Sequence, residues 1–135
     1  MLIKVHKDHS TIEEIVSSKC GKKYSIIDRI LKKNYGSSRY RLKTIYPQHP
    51  EIDLNNYSDS IFLNFDLRNN GLVFYFRYKN TEYLEFSAYH SLTFQTSDNA
   101  FVIQTEKFSY NFEIYDIKSH KKFILKIYEF KNKIA

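Results

Sequence analysis

The chain has 135 residues, of which 42% are hydrophobic, and it carries a formal net charge of +6. This length corresponds to one domain that can bury a core of its own. The chain contains 12 Tyr and 11 Phe but only 3 Gly and 2 Pro, a composition that excludes collagen-like, linker-like and disordered chains. Its single Cys excludes a disulfide framework and a Cys-based zinc cluster.

The sequence predicts neither a membrane span nor a signal peptide. The longest apolar run is five residues, beginning at Leu72, which is far short of the length of a membrane span. Residues 1–7 contain no long apolar stretch that could serve as a signal peptide. We therefore expect a cytoplasmic protein.

Two short helices are predicted near the start of the chain, over residues 11–20 and 25–35. Ser10 and Glu13 have the spacing of a capping box in front of the first helix. A Ser can cap the second helix as well, and a Gly follows each one where a left-handed C-cap would stand. We treat residues 1–38 as an N-terminal helical extension packed on the same domain as the rest of the chain.

From residue 39 onward, apolar and polar residues alternate, which is typical of β-strands. The alternation predicts seven strands, over residues 39–46, 61–68, 72–78, 82–88, 91–96, 100–106 and 108–115. The segment 47–59 contains both prolines and three acidic residues, and it is predicted to be a loop.

The dipeptide Asn70-Gly71 stands between the second and third of these strands and predicts a tight hairpin. In a type I′ turn, both central residues have positive φ. The sequence therefore predicts positive φ at Asn70 and Gly71, and strain if a β-branched residue replaces the glycine.

An amphipathic helix is predicted at the end of the chain. Phe123, Ile127 and Phe130 are spaced by three or four residues and form an apolar stripe that must pack on another element. Either Asp116 or Ser119 can cap this helix. We expect the stripe to be buried against the sheet.

Seven antiparallel strands followed by one amphipathic helix resemble a pleckstrin-homology-like (PH-like) barrel. Residues 67–78 and 87–92 also look like the hairpin and short aromatic motif of uncharacterised bacterial PH-like proteins. The resemblance implies an α+β fold in which residues 39–135 form a seven-stranded antiparallel PH-like barrel or sandwich closed by the C-terminal helix, with two short N-terminal helices before it.

The chain departs from the phosphoinositide-binding members of that family in two ways. Those members carry Lys and Arg in the loop after the first strand, whereas the corresponding loop here is acidic. The Trp common in the helix of eukaryotic members is also missing, since the chain contains no Trp. The resemblance therefore favours the fold and weakens a claim to bind lipid headgroups.

Charge is distributed unevenly along the chain: residues 1–46 carry +7, residues 47–117 carry −6 and residues 118–135 carry +5. The basic ends either form solvated helix faces, pack near the acidic middle, or form a patch for nucleic acid or an anionic membrane surface. Lys outnumbers Arg by 16 to 5, although Arg is the preferred partner of phosphates. The candidate binding residues are Lys32, Lys33, Arg39, Arg41, Lys43, Lys121, Lys122 and Lys126.

No catalytic residue, metal site or cofactor is predicted. His6 and His9 have a spacing that could bring two imidazoles together, but a third ligand is missing. Cys20 has lysines nearby that would lower the pKa of its thiol, yet a buried structural role is the better interpretation. His120 lies at the start of the last helix, and we expect it to be solvated.

Aromatic residues next to cations raise one further hypothesis. Tyr75 near Arg77, and Tyr40 near Arg41, fit the pattern of rings that stack on the bases of single-stranded nucleic acid. Ordinary packing of Tyr in a sheet explains the same pattern and is the favoured interpretation.

The function predicted from these features is a non-enzymatic interaction module that binds a protein or peptide partner. Such a partner can add as a strand to an open sheet edge or dock between a strand and a helix. The alternative is a weak binder of nucleic acid or of an anionic membrane surface through the basic N- and C-terminal segments. A small enzyme with an unrecognised site is a third hypothesis.

Overall fold

The computed structural model describes residues 1–5, 9–22, 37 and 39–134. These residues form two α-helices, α1 (His9–Cys20) and α2 (Ile117–Ile134), two short 3-10 turns (Leu54–Asn56 and Tyr89–Ser91) and nine β-strands. The strands are β1 (Leu2–Lys4), β2 (Tyr40–Tyr46), β3 (Ile61–Leu63), β4 (Phe65–Leu67), β5 (Gly71–Tyr78), β6 (Thr81–Ala88), β7 (Thr93–Thr96), β8 (Ala100–Gln104) and β9 (Ser109–Ile114). The helix predicted over 25–35 lies outside the described residues.

The strands form two antiparallel sheets that enclose an aromatic core. Sheet A has the strand order β1-β6-β5-β4, and sheet B has the order β3-β2-β9-β8-β7. Phe65 of sheet A contacts rings of sheet B, with centroids 5.1 Å from Tyr40 and 5.0 Å from Phe112. Edge-to-face geometry of this kind stabilises aromatic pairs beyond the area they bury.

The strand predicted over 61–68 is two strands that belong to different sheets. β3 pairs with β2 in sheet B, whereas β4 pairs with β5 in sheet A, and Asn64 lies between them. The Asn64 side chain donates a hydrogen bond to the carbonyl of Ser37, and the Ser37 hydroxyl accepts one from the N–H of Phe65. Every second residue remains buried through this corner, so the alternation gives no sign that the chain changes sheets.

The prediction of one seven-stranded PH-like barrel or sandwich is therefore wrong. The described residues form a mixed α+β sandwich of nine strands in two separate sheets, with no closed barrel. One additional strand arises at the Asn64 corner, and the other is β1, which pairs with β6 at the edge of sheet A. Three residues are too few for alternation to reveal a strand.

Helix α1 packs on the outer face of sheet A. Val16 and Cys20 form a second buried cluster with Val73, Leu84 and Phe86 of the sheet. This packing buries both faces of β5, which explains why the start of that strand is an uninterrupted apolar run.

A buried arginine and a glycine fix the end of α1. Gly21 has a φ of 91°, which confirms the predicted left-handed C-cap. Arg68 is 1% exposed and donates to the Glu13 carboxylate at 2.9 and 3.3 Å and to the Gly21 carbonyl at 3.2 Å. A buried guanidinium needs such partners because an unpaired buried charge is costly.

The predicted type I′ turn at Asn70-Gly71 is wrong. Positive φ occurs at Lys79 and Gly21 in the described part of the chain, and not at Asn70 or Gly71. The glycine is needed for space: a Cβ on Gly71 would lie 2.5 Å from both the Cys20 Sγ and the Ser87 carbonyl oxygen. The position is therefore restricted by the approach of α1 and not by the conformation of the turn.

Helix α2 packs against both sheets with the apolar stripe that the sequence predicts. Phe123, Ile127 and Phe130 are buried, and the Phe123 ring stacks on Phe65 with centroids 5.4 Å apart. Of the two possible caps, Asp116 is the one used, because its carboxylate accepts hydrogen bonds from the N–H and the hydroxyl of Ser119 at 3.2 and 3.1 Å. Neither helix in the described part of the chain combines the length and the apolar character needed to cross a membrane.

Candidate functional site

His120 is buried where α2 meets sheet B. Its Nδ1 lies 2.6 Å from the Tyr40 hydroxyl and its Nε2 lies 2.5 Å from Thr96 Oγ1. The expectation that His120 is solvated is wrong, because the residue stands three positions before Phe123 and therefore shares the buried face of the helix. Burial lowers the pKa of His120, which keeps the ring neutral near pH 7.

A hydroxyl–imidazole–phenol row of this kind resembles the start of a catalytic relay, in which a base activates a hydroxyl nucleophile. The third member of the row is Tyr40, and burial raises the pKa of its phenol far above neutrality. A neutral phenol cannot stabilise a protonated imidazole as a carboxylate does. The row therefore serves better to hold α2 against β2 and β7 than to transfer protons.

A cavity of about 420 Å³ lies beside this row, between the first turns of α2 and the β7–β8 turn. Residues 96–98 form one wall, and the helix supplies Ile117, His120, Lys121, Ile124 and Leu125. Leu125 is 70% exposed and Ile117 is 39% exposed, so the helix presents aliphatic side chains at the opening. We name this feature the α2–β7 groove.

The groove runs between the helix and an edge of sheet B. The later turns of α2 also lie along β7: the Tyr128 ring is 5.1 Å from Phe94, and Lys131 Nζ donates to the Leu92 carbonyl at 2.5 Å. In the described part of the chain, β7 pairs with β8 alone, so its other side is a sheet edge. A helix wall beside an open strand is a geometry in which proteins bind extended peptides.

The rim of the groove is basic on its helical side. Lys118, Lys121 and Lys122 are exposed on the first turns of α2, whereas Asp98 is the acidic residue among those that line the cavity. The Asp116 carboxylate nearby is engaged in capping the helix. The electrostatic field at the groove therefore favours an anionic partner.

The eight basic residues proposed from the sequence fall into three groups. Lys32 and Lys33 lie outside the described residues. On the exposed side of sheet B, the structure places Arg39, Arg41 and Lys43. On α2, it places Lys121, Lys122 and Lys126.

The two described groups have different surroundings. Lys43 Nζ and an Arg41 nitrogen each lie 4.0 Å from the Glu113 carboxylate. Lys121 lines the groove, and Lys126 pairs with Glu129 at 3.5 Å. The sequence thus named one residue of the groove, Lys121, and missed its aliphatic and hydroxyl side chains, which no motif marks.

Of the other candidates from the sequence, the structure describes Cys20, whose surroundings give it no reactive role. Cys20 is fully buried, and burial raises the pKa of its thiol to about 11, so the thiolate form is disfavoured at neutral pH. Within the described residues, no three His, Cys, Asp or Glu side chains are grouped so that they could hold a metal ion. The side chains of His6 and His9 lie outside what the structure describes.

Comparison with known proteins adds no assignment. A scan against protein-family models and a search of curated proteins both find no match to this chain. Nothing in these comparisons identifies the chain as PH-like or as bacterial, so a function can be inferred only from the geometry of the structure.

Proposed function

We propose that the protein is a non-enzymatic interaction module that binds an acidic peptide segment of a partner protein in the α2–β7 groove. The observation that carries this proposal is the apolar cavity at the edge of sheet B, with exposed Leu125 and Ile117 at its opening. Burial of one aliphatic side chain of a partner in such a cavity contributes about 1.5–3 kcal/mol.

The chemistry of the partner follows from the two walls of the groove. The edge of β7 offers backbone groups to an added strand, and the cavity accepts an apolar side chain. Lys118, Lys121 and Lys122 favour acidic residues beside that side chain. The expected ligand is an extended segment in which aliphatic and acidic residues are mixed.

An anionic membrane would satisfy the same lysines, so the shape of the surface decides between the two. The aliphatic side chains border a concavity between a helix and a strand, which receives a protruding side chain better than a planar bilayer. Binding to anionic vesicles in place of peptides would contradict the proposal.

Selection from a random displayed peptide library tests the proposal even though the natural partner is unidentified. We expect enrichment of peptides that combine aliphatic and acidic residues, and loss of their binding to the Leu125→Glu variant. Leu125 is 70% exposed, so this change should leave the fold intact.

The matched control is Tyr75→Glu, which places the same acidic residue at a 40% exposed apolar position on sheet A. This variant should bind the selected peptides like the parent protein. If no peptide is enriched, or if the selected peptides bind Leu125→Glu and the parent equally well, the groove is not the binding site.

A further inference from the structure

Two exposed aromatic rings lie side by side at the sheet B surface, away from the α2–β7 groove. Phe62 is 38% exposed and Tyr115 is 54% exposed, and their ring centroids are 5.8 Å apart with a tilt of 53°. Large aromatic side chains are normally buried, so two adjacent exposed rings mark a surface that can interact.

Arg39 and Arg41 lie next to these two rings. The Arg39 guanidinium lies 3.7 Å from the centroid of Phe62, in cation–π contact. Arg41 is the register partner of Phe62 on one side and of Glu113 on the other, so these three side chains form a row across β3, β2 and β9. We name Arg39, Arg41, Phe62 and Tyr115, together with Lys43, the aromatic–arginine platform.

The platform carries an excess of positive charge. Arg41 and Lys43 share one carboxylate, Glu113, and each lies 4.0 Å from it. Arg39, Arg41 and Lys43 bring three positive charges to this surface beside two carboxylates, Glu113 and Asp59, the second of which lines a small pocket with Arg41 and Lys43, so the net charge is +1. The separations of 4.0 Å are long for ion pairs in contact, so an anionic ligand can compete for both cations.

We infer that the aromatic–arginine platform binds a single-stranded nucleic acid. Nucleobases stack on aromatic rings and on guanidinium planes, and Tyr115 and Arg39 offer both surfaces on an exposed part of the sheet. Arg41 and Lys43 lie beside them to contact phosphates.

The same residues disfavour the other anionic partners. A duplex keeps its bases stacked inside, so the two rings would contribute nothing to its binding. A bilayer requires a protruding apolar patch, whereas these rings alternate with guanidinium groups. The sequence suggested Tyr40 and Tyr75 as stacking rings. Tyr40 is fully buried against His120, and Tyr75 lies on sheet A, where the neighbouring Arg77 is paired with Glu82 at 3.5 Å. Phe62 and Tyr115 on sheet B combine exposed rings with arginines instead.

The test is fluorescence anisotropy with short labelled oligothymidylate and oligouridylate at low salt. Tyr115→Ala should raise the Kd of both probes at least about fivefold, which is the lower end of what one stacked base contributes. Tyr115→Phe keeps the ring and should bind like the parent. Tyr75→Ala removes a tyrosine of similar exposure from sheet A and should also leave the Kd unchanged.

Salt dependence tests the phosphate contacts separately. Because Arg41 and Lys43 are the two cations assigned to phosphates, log K should fall with log salt with a slope of about −1.4, since each neutralised phosphate of a single strand contributes about −0.7. Arg41→Gln should reduce this slope by about 0.7, whereas Arg77→Gln on sheet A should not change it. Circular dichroism checks that each variant folds, and Arg41→Gln still tests the platform if Tyr115→Ala does not fold.

The inference is overturned if neither oligonucleotide binds at low salt, or if a duplex binds as tightly as the single strand. It is also overturned if Tyr115→Ala leaves the Kd unchanged, or if the protein binds anionic vesicles but neither oligonucleotide. Loss of binding in Tyr115→Phe equal to that in Tyr115→Ala would equally exclude stacking. None of these results depends on the peptide groove, so each proposal can fail alone.

Discussion

Replacement of Gly71 by Ala tests how closely α1 approaches sheet A. The added Cβ would lie 2.5 Å from Cys20 Sγ and 2.5 Å from the carbonyl oxygen of Ser87. Side-chain insertion into a packed interior costs about 1–3 kcal/mol. A Gly-to-Ala change that the native structure accommodates stabilises a protein by only about 0.4–1 kcal/mol, because it reduces the conformational freedom of the unfolded chain.

The two contacts differ in how far they can relax. The Cys20 side chain can move slightly at the end of α1, whereas the Ser87 oxygen belongs to β6, which pairs with β5 along its whole length. The clash with backbone therefore dominates, and we expect Gly71→Ala to lower the free energy of unfolding by about 2 kcal/mol. For a domain of this size, that change lowers Tm by roughly 6–10 °C.

Urea denaturation followed by circular dichroism measures this change. The double variant Cys20→Ala with Gly71→Ala removes Sγ but not the Ser87 oxygen, so a double-mutant cycle should show only partial recovery. Equal or higher stability of Gly71→Ala would refute the packing argument, and full recovery in the double variant would refute the role of Ser87.

Gly71→Asn distinguishes crowding from turn conformation. Asn adopts positive φ more readily than other residues with a side chain, so a type I′ turn would tolerate it better than Ala. Because the structure limits Gly71 by space, the larger Asn should destabilise more than Ala. The reverse order would restore the turn interpretation.

Three further predictions concern the core. Burial lowers the pKa of His120, so as the pH falls the unfolded chain takes up the imidazole proton before the folded chain does. The contribution of His120 to stability should therefore be constant above about pH 6.5 and fall below that pH by up to about 1.4 kcal/mol per pH unit. A pH series of urea melts should show that His120→Gln loses this component. Phe130→Ala should cost about 3–5 kcal/mol and lower the melting temperature markedly, whereas Tyr128→Ala, which is 51% exposed, should change it little. Arg68→Met should lower the free energy of unfolding by about 1.5–3 kcal/mol because it removes the charged hydrogen bonds to Glu13, and urea denaturation measures this change. An unchanged free energy of unfolding would mean that apolar packing of the methionine compensates for the lost hydrogen bonds.

The sequence by itself determined the local elements. Alternation defined the strand at Tyr40–Tyr46 and the hairpin of β4 and β5, and the apolar spacing defined the buried stripe of α2. These features follow from hydrogen bonds and burial periods within a short segment, so they can be derived from neighbouring residues alone.

Only the tertiary structure decided which sheet each strand joins. The side-chain period continues unbroken through Asn64, so nothing local separates β3 from β4. The single-barrel prediction failed at that corner and at β1, whose three residues become a strand only because β6 offers an edge.

The candidate sites depend even more on tertiary structure. His120 and Thr96 are distant in sequence, and they meet because α2 crosses the end of sheet B. Phe62 and Tyr115 become neighbours only when β3 and β9 flank β2. A binding surface assembled from separate strands carries no local periodicity, and long-range pairing alone brings its residues together.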